Sequence, residues 1–124
     1  MSRPRAGAIV LVDWRTGAAP HEPTTIRPSV VVEDDELFPA GYPNMLVVPL
    51  TRSEGFAYAA FAERIDPAPE NGADVISWAL AHHVTSVSMQ RVRATSSRIT
   101  TDQLTSLRRR IALALGIQAA DDGR

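Results

Sequence analysis

An arginine and a threonine border two β-branched runs and could together hold a phosphate group. Arg27 lies near the start of Thr25–Val32, and Thr51 ends Leu46–Thr51. If these runs form neighbouring strands, the guanidinium and the hydroxyl meet at one end of a small sheet. Arginine offers a forked set of donors and threonine a short, rigid one. The pair therefore predicts a phosphodiester site, in which Arg27 stabilises charge and Thr51 fixes a nonbridging oxygen.

Glu22 lies in the proline-rich loop before Arg27 and is the candidate proton acceptor for such a site. These residues also have ordinary structural explanations. A glutamate in such a loop is usually solvated, and an arginine before a strand usually covers apolar surface with its aliphatic stem. The pattern alone leaves both interpretations open.

The adjacent histidines His82 and His83 are the other residues whose type suggests chemistry. Neighbouring side chains on a strand point to opposite faces, so both imidazoles could not easily bind one ion. His21 is the only further histidine, and we predict neither a metal site nor a cofactor. One histidine acting on a proton is the better interpretation, because its pKa lies near physiological pH.

No other segment predicts a site. The acidic run Asp34–Glu36 is typical of a solvated turn. The basic run Arg108–Arg110 could contact RNA, but basic residues are favourable near the C-terminus of any helix. The sequence has no phosphate-binding glycine loop, nucleophile elbow, zinc-ligand spacing or dinucleotide fingerprint.

The length of the chain predicts one globular domain over residues 1–124. Hydrophobic residues make up 44% and charged residues 22%, and the absence of cysteine excludes disulfides and thiol chemistry. A net charge of −1 excludes a general polycation and requires any nucleic-acid site to be a local basic groove. No apolar run approaches the roughly 20 residues of a membrane span, and no signal peptide is evident, so we expect a cytoplasmic protein without membrane contact.

The elements that must position these residues are short strands and one helix. Strands are predicted over residues 8–14, 29–33, 45–50, 61–65, 75–80 and 84–92. Thr100 and Gln103 fit a capping box, and Gly116 is placed for a C-terminal cap. The helix between them has one apolar stripe, formed by Leu104, Leu107, Ile111 and Leu115. This pattern predicts a small barrel or curled antiparallel sheet capped by a helix.

A further pattern is carried by six segments that follow one another along the chain: Gly7–Asp13, Glu22–Val32, Val47–Thr51, Asn71-Gly72, Arg91-Val92 and Leu113–Gly116. In this order they resemble segments of the MazF/PemK (Kid) family of toxins from bacterial toxin–antitoxin pairs. The resemblance covers nearly the whole of residues 7–117, the expected ordered core. The resemblance implies a mainly β (α+β) fold, a small SH3-like barrel of about five to seven strands with a C-terminal helix, in a homodimer. It also implies a cognate antitoxin that covers the RNA groove, and leaves open operator DNA binding through that antitoxin.

The resemblance further implies a metal-independent, sequence-selective endoribonuclease. Members of the family cut single-stranded RNA by attack of the 2′-hydroxyl, which leaves a 2′,3′-cyclic phosphate and a 5′-hydroxyl. The family's functional arginine, threonine and loop glutamate fall on Arg27, Thr51 and Glu22. Many members carry Asp-Gln where this chain has His82-His83. We therefore hypothesise that His83 contacts a base or shares in proton transfer.

The expected RNA contacts beyond the catalytic residues are Arg52, His82, His83, Arg91 and Arg93. A local groove of this kind predicts cleavage that weakens steeply with salt. The main alternative is a CcdB-like toxin, which shares the fold but binds DNA gyrase without nuclease activity. A third is an inactive or regulatory relative. The Arg27 and Thr51 pair discriminates, because a gyrase binder has no need of a phosphate site.

Overall fold

The computed structural model describes residues 3–14, 26–56 and 60–117. These residues form seven strands and one α-helix, α1, over Thr101–Ala114. The strands are β1 Ala8–Asp13, β2 Ile26–Val31, β3 Asn44–Thr51, β4 Ala62–Ile65, β5 Ser77–Leu80, β6 Thr85–Ser88 and β7 Val92–Arg98. Short 3-10 turns lie at Glu54–Phe56, Ala81–His83 and Met89–Arg91.

The strands form one antiparallel sheet in the order β4-β5-β3-β2-β1-β7, with β6 also on β3. β3 is the central strand. β2 pairs along one of its edges, and on the other edge β6 pairs with its first half and β5 with its last two residues. The sheet curls without closing, since β4 and β7 lie at opposite ends of the strand order. The predicted small barrel-like sheet with a C-terminal helix is confirmed in this open form.

Both faces of the central strands are buried, and successive side chains point alternately into two separate hydrophobic cores. The helix-side core packs against α1, β4 and β5, and its buried members include Ile9, Val30, Val48, Leu50, Ile65 and Leu107. The far-side core consists of Val10, Val12, Val31, Met45, Val47 and Val87. Because both faces are buried, the sequences of β1, β2 and β3 are nearly continuous β-branched runs and do not alternate between apolar and polar residues.

Helix α1 begins and ends as its sequence predicts. The Thr100 hydroxyl accepts from the Gln103 N–H, and the Gln103 side chain accepts from the Thr100 N–H, which completes the capping box. Gly116 has φ +81°, and the Ile117 N–H donates to the Ala112 carbonyl in a Schellman motif. Among the described residues no helix has the length and apolar character needed to cross a membrane.

Two strand predictions are wrong in extent. β2 covers Ile26–Val31 instead of residues 29–33, so Arg27 lies within the strand and pairs with Val12. The predicted strand 84–92 is too long, because β6 ends at Ser88, the turn Met89–Arg91 follows, and Val92 begins β7. β7 was not predicted because it is an outer strand with mostly exposed, polar residues and lacks an apolar run.

A buried ion pair ties the N-terminal segment to the end of β2. Arg3 donates from Nε to Glu33 Oε2 at 2.6 Å and from Nη2 to Oε1 at 3.0 Å. The same guanidinium donates to the carbonyls of Tyr42 and Asn44, and Glu33 also accepts from the Leu46 N–H. Four of the five Arg3 N–H donors are therefore used, and both Glu33 oxygens accept, as burial of two charges requires.

Candidate functional site

β2 and β3 are antiparallel neighbours, as the sequence predicts, and Arg27 and Thr51 lie at the same end of the pair. The pairing between these strands runs from Val31–Val47 to Ser29–Pro49. Arg27 and Thr51 follow two residues further along their strands, on the face that carries the far-side core. The pairing stops before them, and Thr51 pairs instead with Trp78 of β5.

Arg27 lines an open depression together with Trp14, Pro49, His83 and Thr85. The guanidinium is exposed, and none of the described residues forms a hydrogen bond or ion pair with it. The depression thus combines a fixed cation, an imidazole, a hydroxyl and an aromatic ring. Such a set can hold a phosphate beside a nucleobase.

Thr51 lines a second, smaller cavity, so the structure brings it to the same sheet end as Arg27 but not into the same depression. That cavity is also lined by Pro28, Arg52, Asn71 and Gly72. The Thr51 Oγ1 accepts from the Ser53 N–H at 3.0 Å. Since a hydroxyl can accept and donate at once, this bond leaves the O–H of Thr51 available for a phosphate oxygen.

His82 and His83 lie in the 3-10 turn Ala81–His83, between the predicted strands, so the rule that neighbouring side chains on a strand point to opposite faces does not apply to them. The turn puts both rings on the exposed side, with centroids 4.3 Å apart and planes at 65°. The Phe61 ring lies 5.1 Å from that of His82. Partial burial, and secondarily the neighbouring His82, lower the pKa of His83 below its usual value of about 6.5.

The remaining predicted contacts do not gather around Arg27. Arg52 forms an exposed ion pair with Asp74 at 3.0 Å. Arg93 lies opposite Leu11, which places it on the other face of the sheet from Arg27. Arg91 is half-buried in the turn before β7. Glu22 lies outside the described residues.

Three residues of this region were not predicted from the sequence as site residues. Trp14 and Thr85 line the depression with Arg27. Ser29 is fully buried between Val10 and Pro49. Within the described part of the chain the Ser29 Oγ and Trp14 Nε1 atoms are buried without a hydrogen-bond partner. A serine within a β-branched run was the available signal for Ser29.

The described residues contain no group of three histidine, cysteine, aspartate or glutamate side chains placed to hold a metal ion. His82 and His83 are adjacent, but no third ligand of these types joins them within residues 3–14, 26–56 and 60–117. The described residues supply this site with hydrogen-bond donors, the His83 imidazole and the positive charge of Arg27.

The order of these strands, with Arg27 and Thr51 at one sheet end, can be compared with known families. The family model described as the PemK-like, MazF-like toxin of type II toxin–antitoxin systems matches residues 5–115. The chain belongs to this family. The match gives no support to the CcdB-like alternative. Among curated proteins, none matches the sequence significantly.

Solved structures of MazF toxins share the fold. The Mycobacterium tuberculosis toxin MazF-mt6 has a TM-score of 0.71 at 15% identity, covering 90% of this chain and 99% of that one. MazF from Deinococcus radiodurans has a TM-score of 0.64 at 27% identity, covering 92% and 97%. A MazE–MazF structure from the same organism has a TM-score of 0.71 at 25% identity, covering 93% and 97%.

Proposed function

We propose that this protein is the toxin of a type II toxin–antitoxin pair and a metal-independent, sequence-selective endoribonuclease. Its substrate is single-stranded RNA, whose unstacked bases expose their edges for recognition. The 2′-hydroxyl of the substrate attacks the adjacent phosphorus and leaves a 2′,3′-cyclic phosphate and a 5′-hydroxyl. A similar fold occurs in a structure described as an endoribonuclease with its cognate antitoxin from a mycobacterial species, at 13% identity and a TM-score of 0.65, covering 96% of this chain and 99% of that one.

The observation that carries the proposal is the exposed Arg27 guanidinium, to which no described residue is bonded, in a depression shared with an imidazole and a hydroxyl. An internal nucleophile needs positioning, stabilisation of the developing charge and proton transfer. Arg27 stabilises the phosphorane, and Thr51 donates to a nonbridging oxygen. Glu22 is the sequence-based candidate for the proton acceptor.

We propose two groups of RNA contacts beyond Arg27, Thr51 and Glu22. His83 lines the depression with Arg27, and His82 lies against His83; both would contact the nucleotides at the cleaved bond. Arg52 and Arg91 lie outside this depression and Arg93 lies on the other face of the sheet. They would contact backbone phosphates further along the RNA, for which Arg52 must exchange Asp74 for the RNA. Such contacts release counterions, so cleavage weakens with salt.

The toxin's protein partners are proposed to be a second copy of this chain and a cognate antitoxin. The MazE–MazF and endoribonuclease–antitoxin structures that share the fold support an antitoxin. The antitoxin would silence the toxin by covering the RNA groove. Light scattering during gel filtration tests the homodimer, which would have twice the 13.4 kDa mass of one chain.

The deciding experiment incubates purified, antitoxin-free protein with a long unstructured RNA in EDTA and maps the 5′-hydroxyl ends. Arg27→Ala and Thr51→Ala are tested beside Arg64→Ala, which removes only an exposed ion pair with Asp66. We expect discrete cuts with the parent and Arg64→Ala, and none with the other two. Intact RNA from a folded protein that is toxic in cells would reject the nuclease.

A further inference from the structure

Among the described residues, the depression around Arg27 is lined by one side chain able to take up a proton near neutral pH. Arginine stays protonated at any relevant pH, and the hydroxyl of Thr85 is a poor base. Trp14 and Pro49, the other lining residues, cannot accept a proton. The imidazole of His83 is therefore the only general base that the described residues bring beside the guanidinium.

The fold fixes the position of His83 through the turn in which it lies. Ala81 is fully buried in the helix-side core, and its N–H donates to the Phe61 carbonyl at 2.8 Å. The Val84 N–H donates back to the Ala81 carbonyl at 3.2 Å and closes the turn. The turn is thus anchored at Ala81 and closed by its own hydrogen bond, and His83 at its end lines the depression, as a positioned base requires.

The surroundings of His83 favour the neutral form of its ring. Among the described residues, the nearby titratable or charged groups are His82 in the same turn and Arg27 from β2. Helix α1 also packs against the turn, and its Arg108 and Arg110 are held by the Val32 and Glu33 carbonyls and by Glu63. Partial burial and His82 both lower the pKa of His83. A neutral imidazole has a free lone pair, which is the state that accepts a proton.

We infer that His83 accepts the proton of the attacking 2′-hydroxyl, an inference that rests on the proposed ribonuclease function. The 2′-oxygen gives its proton to an imidazole nitrogen and forms its bond to phosphorus. The P–O5′ bond breaks, its electron pair leaves with the 5′-oxygen, and that oxygen takes a proton from solvent. The imidazolium then returns its proton to solvent, so no co-reactant is consumed.

The test measures kcat and KM for a short RNA from about pH 5 to about pH 8, which brackets the ordinary histidine pKa. We expect activity to rise with pH as His83 loses its proton, with a midpoint equal to the His83 pKa obtained by NMR. His83→Gln should lower kcat by about 100-fold or more and remove this rise. Added imidazole should restore part of the activity of His83→Ala.

His82→Gln is a matched variant with a distinct expected result. It removes one of the two causes that lower the His83 pKa, so the midpoint of the pH–rate profile should move upward. The NMR titration of His83 should move by the same amount. A role for His83 in packing or base contact alone would leave the pH–rate profile unchanged.

Three outcomes would overturn the inference while the ribonuclease stands. They are a His83→Gln variant that keeps the rise with pH, one that changes only KM, and a Glu22→Gln variant that alone loses the rise. If His83→Gln fails to fold, a mismatch between the kinetic midpoint and the NMR pKa of the parent protein rejects the role. Absence of any cleavage by the parent in EDTA rejects the proposed function, and the inference with it.

Discussion

The two ends of β2 place arginines in opposite circumstances. Beyond its last residue, Arg3 holds Glu33 in a bidentate pair, with side chains 8% and 2% exposed. Arg108 donates there to the carbonyls of Val32 and Glu33 at 3.0 and 2.8 Å. At the start of the strand Arg27 is exposed, and no described residue is bonded to its guanidinium.

The difference separates an arginine that holds the fold from one that is available to a ligand. A guanidinium has five N–H donors, and burial demands that they be used. Near Glu33, both Arg3 and Arg108 donate to carboxylate and carbonyl oxygens. No described residue occupies the Arg27 donors, which costs little in water and leaves them for a phosphate. Unused donors, rather than residue type, therefore mark the candidate site.

Loss of Arg3 should have the largest effect on stability. Arg3→Met leaves the buried Glu33 carboxylate without its cation, which should lower the free energy of unfolding by about 3–5 kcal/mol. Arg5→Met is the control, because Arg5 pairs with Asp35 while 80% exposed and should contribute less than about 1 kcal/mol. Urea denaturation measures both, and equal losses would contradict the comparison.

Loss of Arg27 should affect activity alone. Arg27→Ala should reduce the RNA cleavage rate by about 100- to 1,000-fold, as removal of a donor to a developing oxyanion does. Its urea midpoint should match that of the parent, because the side chain has no partner to lose among the described residues. A large shift of the midpoint would show that Arg27 is structural after all.

Gly72 tests how the Thr51 cavity is built. Its φ is +69°, and an added Cβ would lie 2.7 Å from the Ser97 Oγ, so Gly72→Ala should cost about 1–2 kcal/mol in denaturation. Gly41→Ala, with open space and no positive φ, should change little. In the double variant, Ser97→Ala removes the hydroxyl that the new Cβ would meet, so it should recover only the part of the lost stability that comes from this clash. Full recovery of stability would argue against strain from the positive φ.

Ser29 should give the smallest effect, and of the opposite sign. Ser29→Ala removes a buried hydroxyl that has no partner, so stability should rise by about 1 kcal/mol. Ser77→Ala is the matched control, because the buried Ser77 Oγ donates to the Val75 carbonyl at 3.4 Å. It should not gain stability. Destabilisation by Ser29→Ala in the same assay would reveal a partner for its hydroxyl.

Much of the fold was predictable because its signals are local. The run at β1, the run at β3 and the capping box of α1 each lie within a short window of sequence. β7 was missed because its polar, exposed residues become a strand only by pairing with β1, far away in the chain. The 3-10 turn Ala81–His83 was not predicted because no local signal marks it. The chain bends there because β5 and β6 both pair with β3.

The candidate site, like the fold, was predictable from the sequence only in part. The sequence by itself determined the residue types, the run that carries Arg27 and the run that ends in Thr51, since β-branched runs form strands through local preference and burial. Only the tertiary structure decided that His83 and Trp14 join Arg27, that Thr51 lines a separate cavity and that Arg93 lies on the other face. Strand register and the curl of the sheet set those neighbours, and both depend on contacts between segments far apart in the chain.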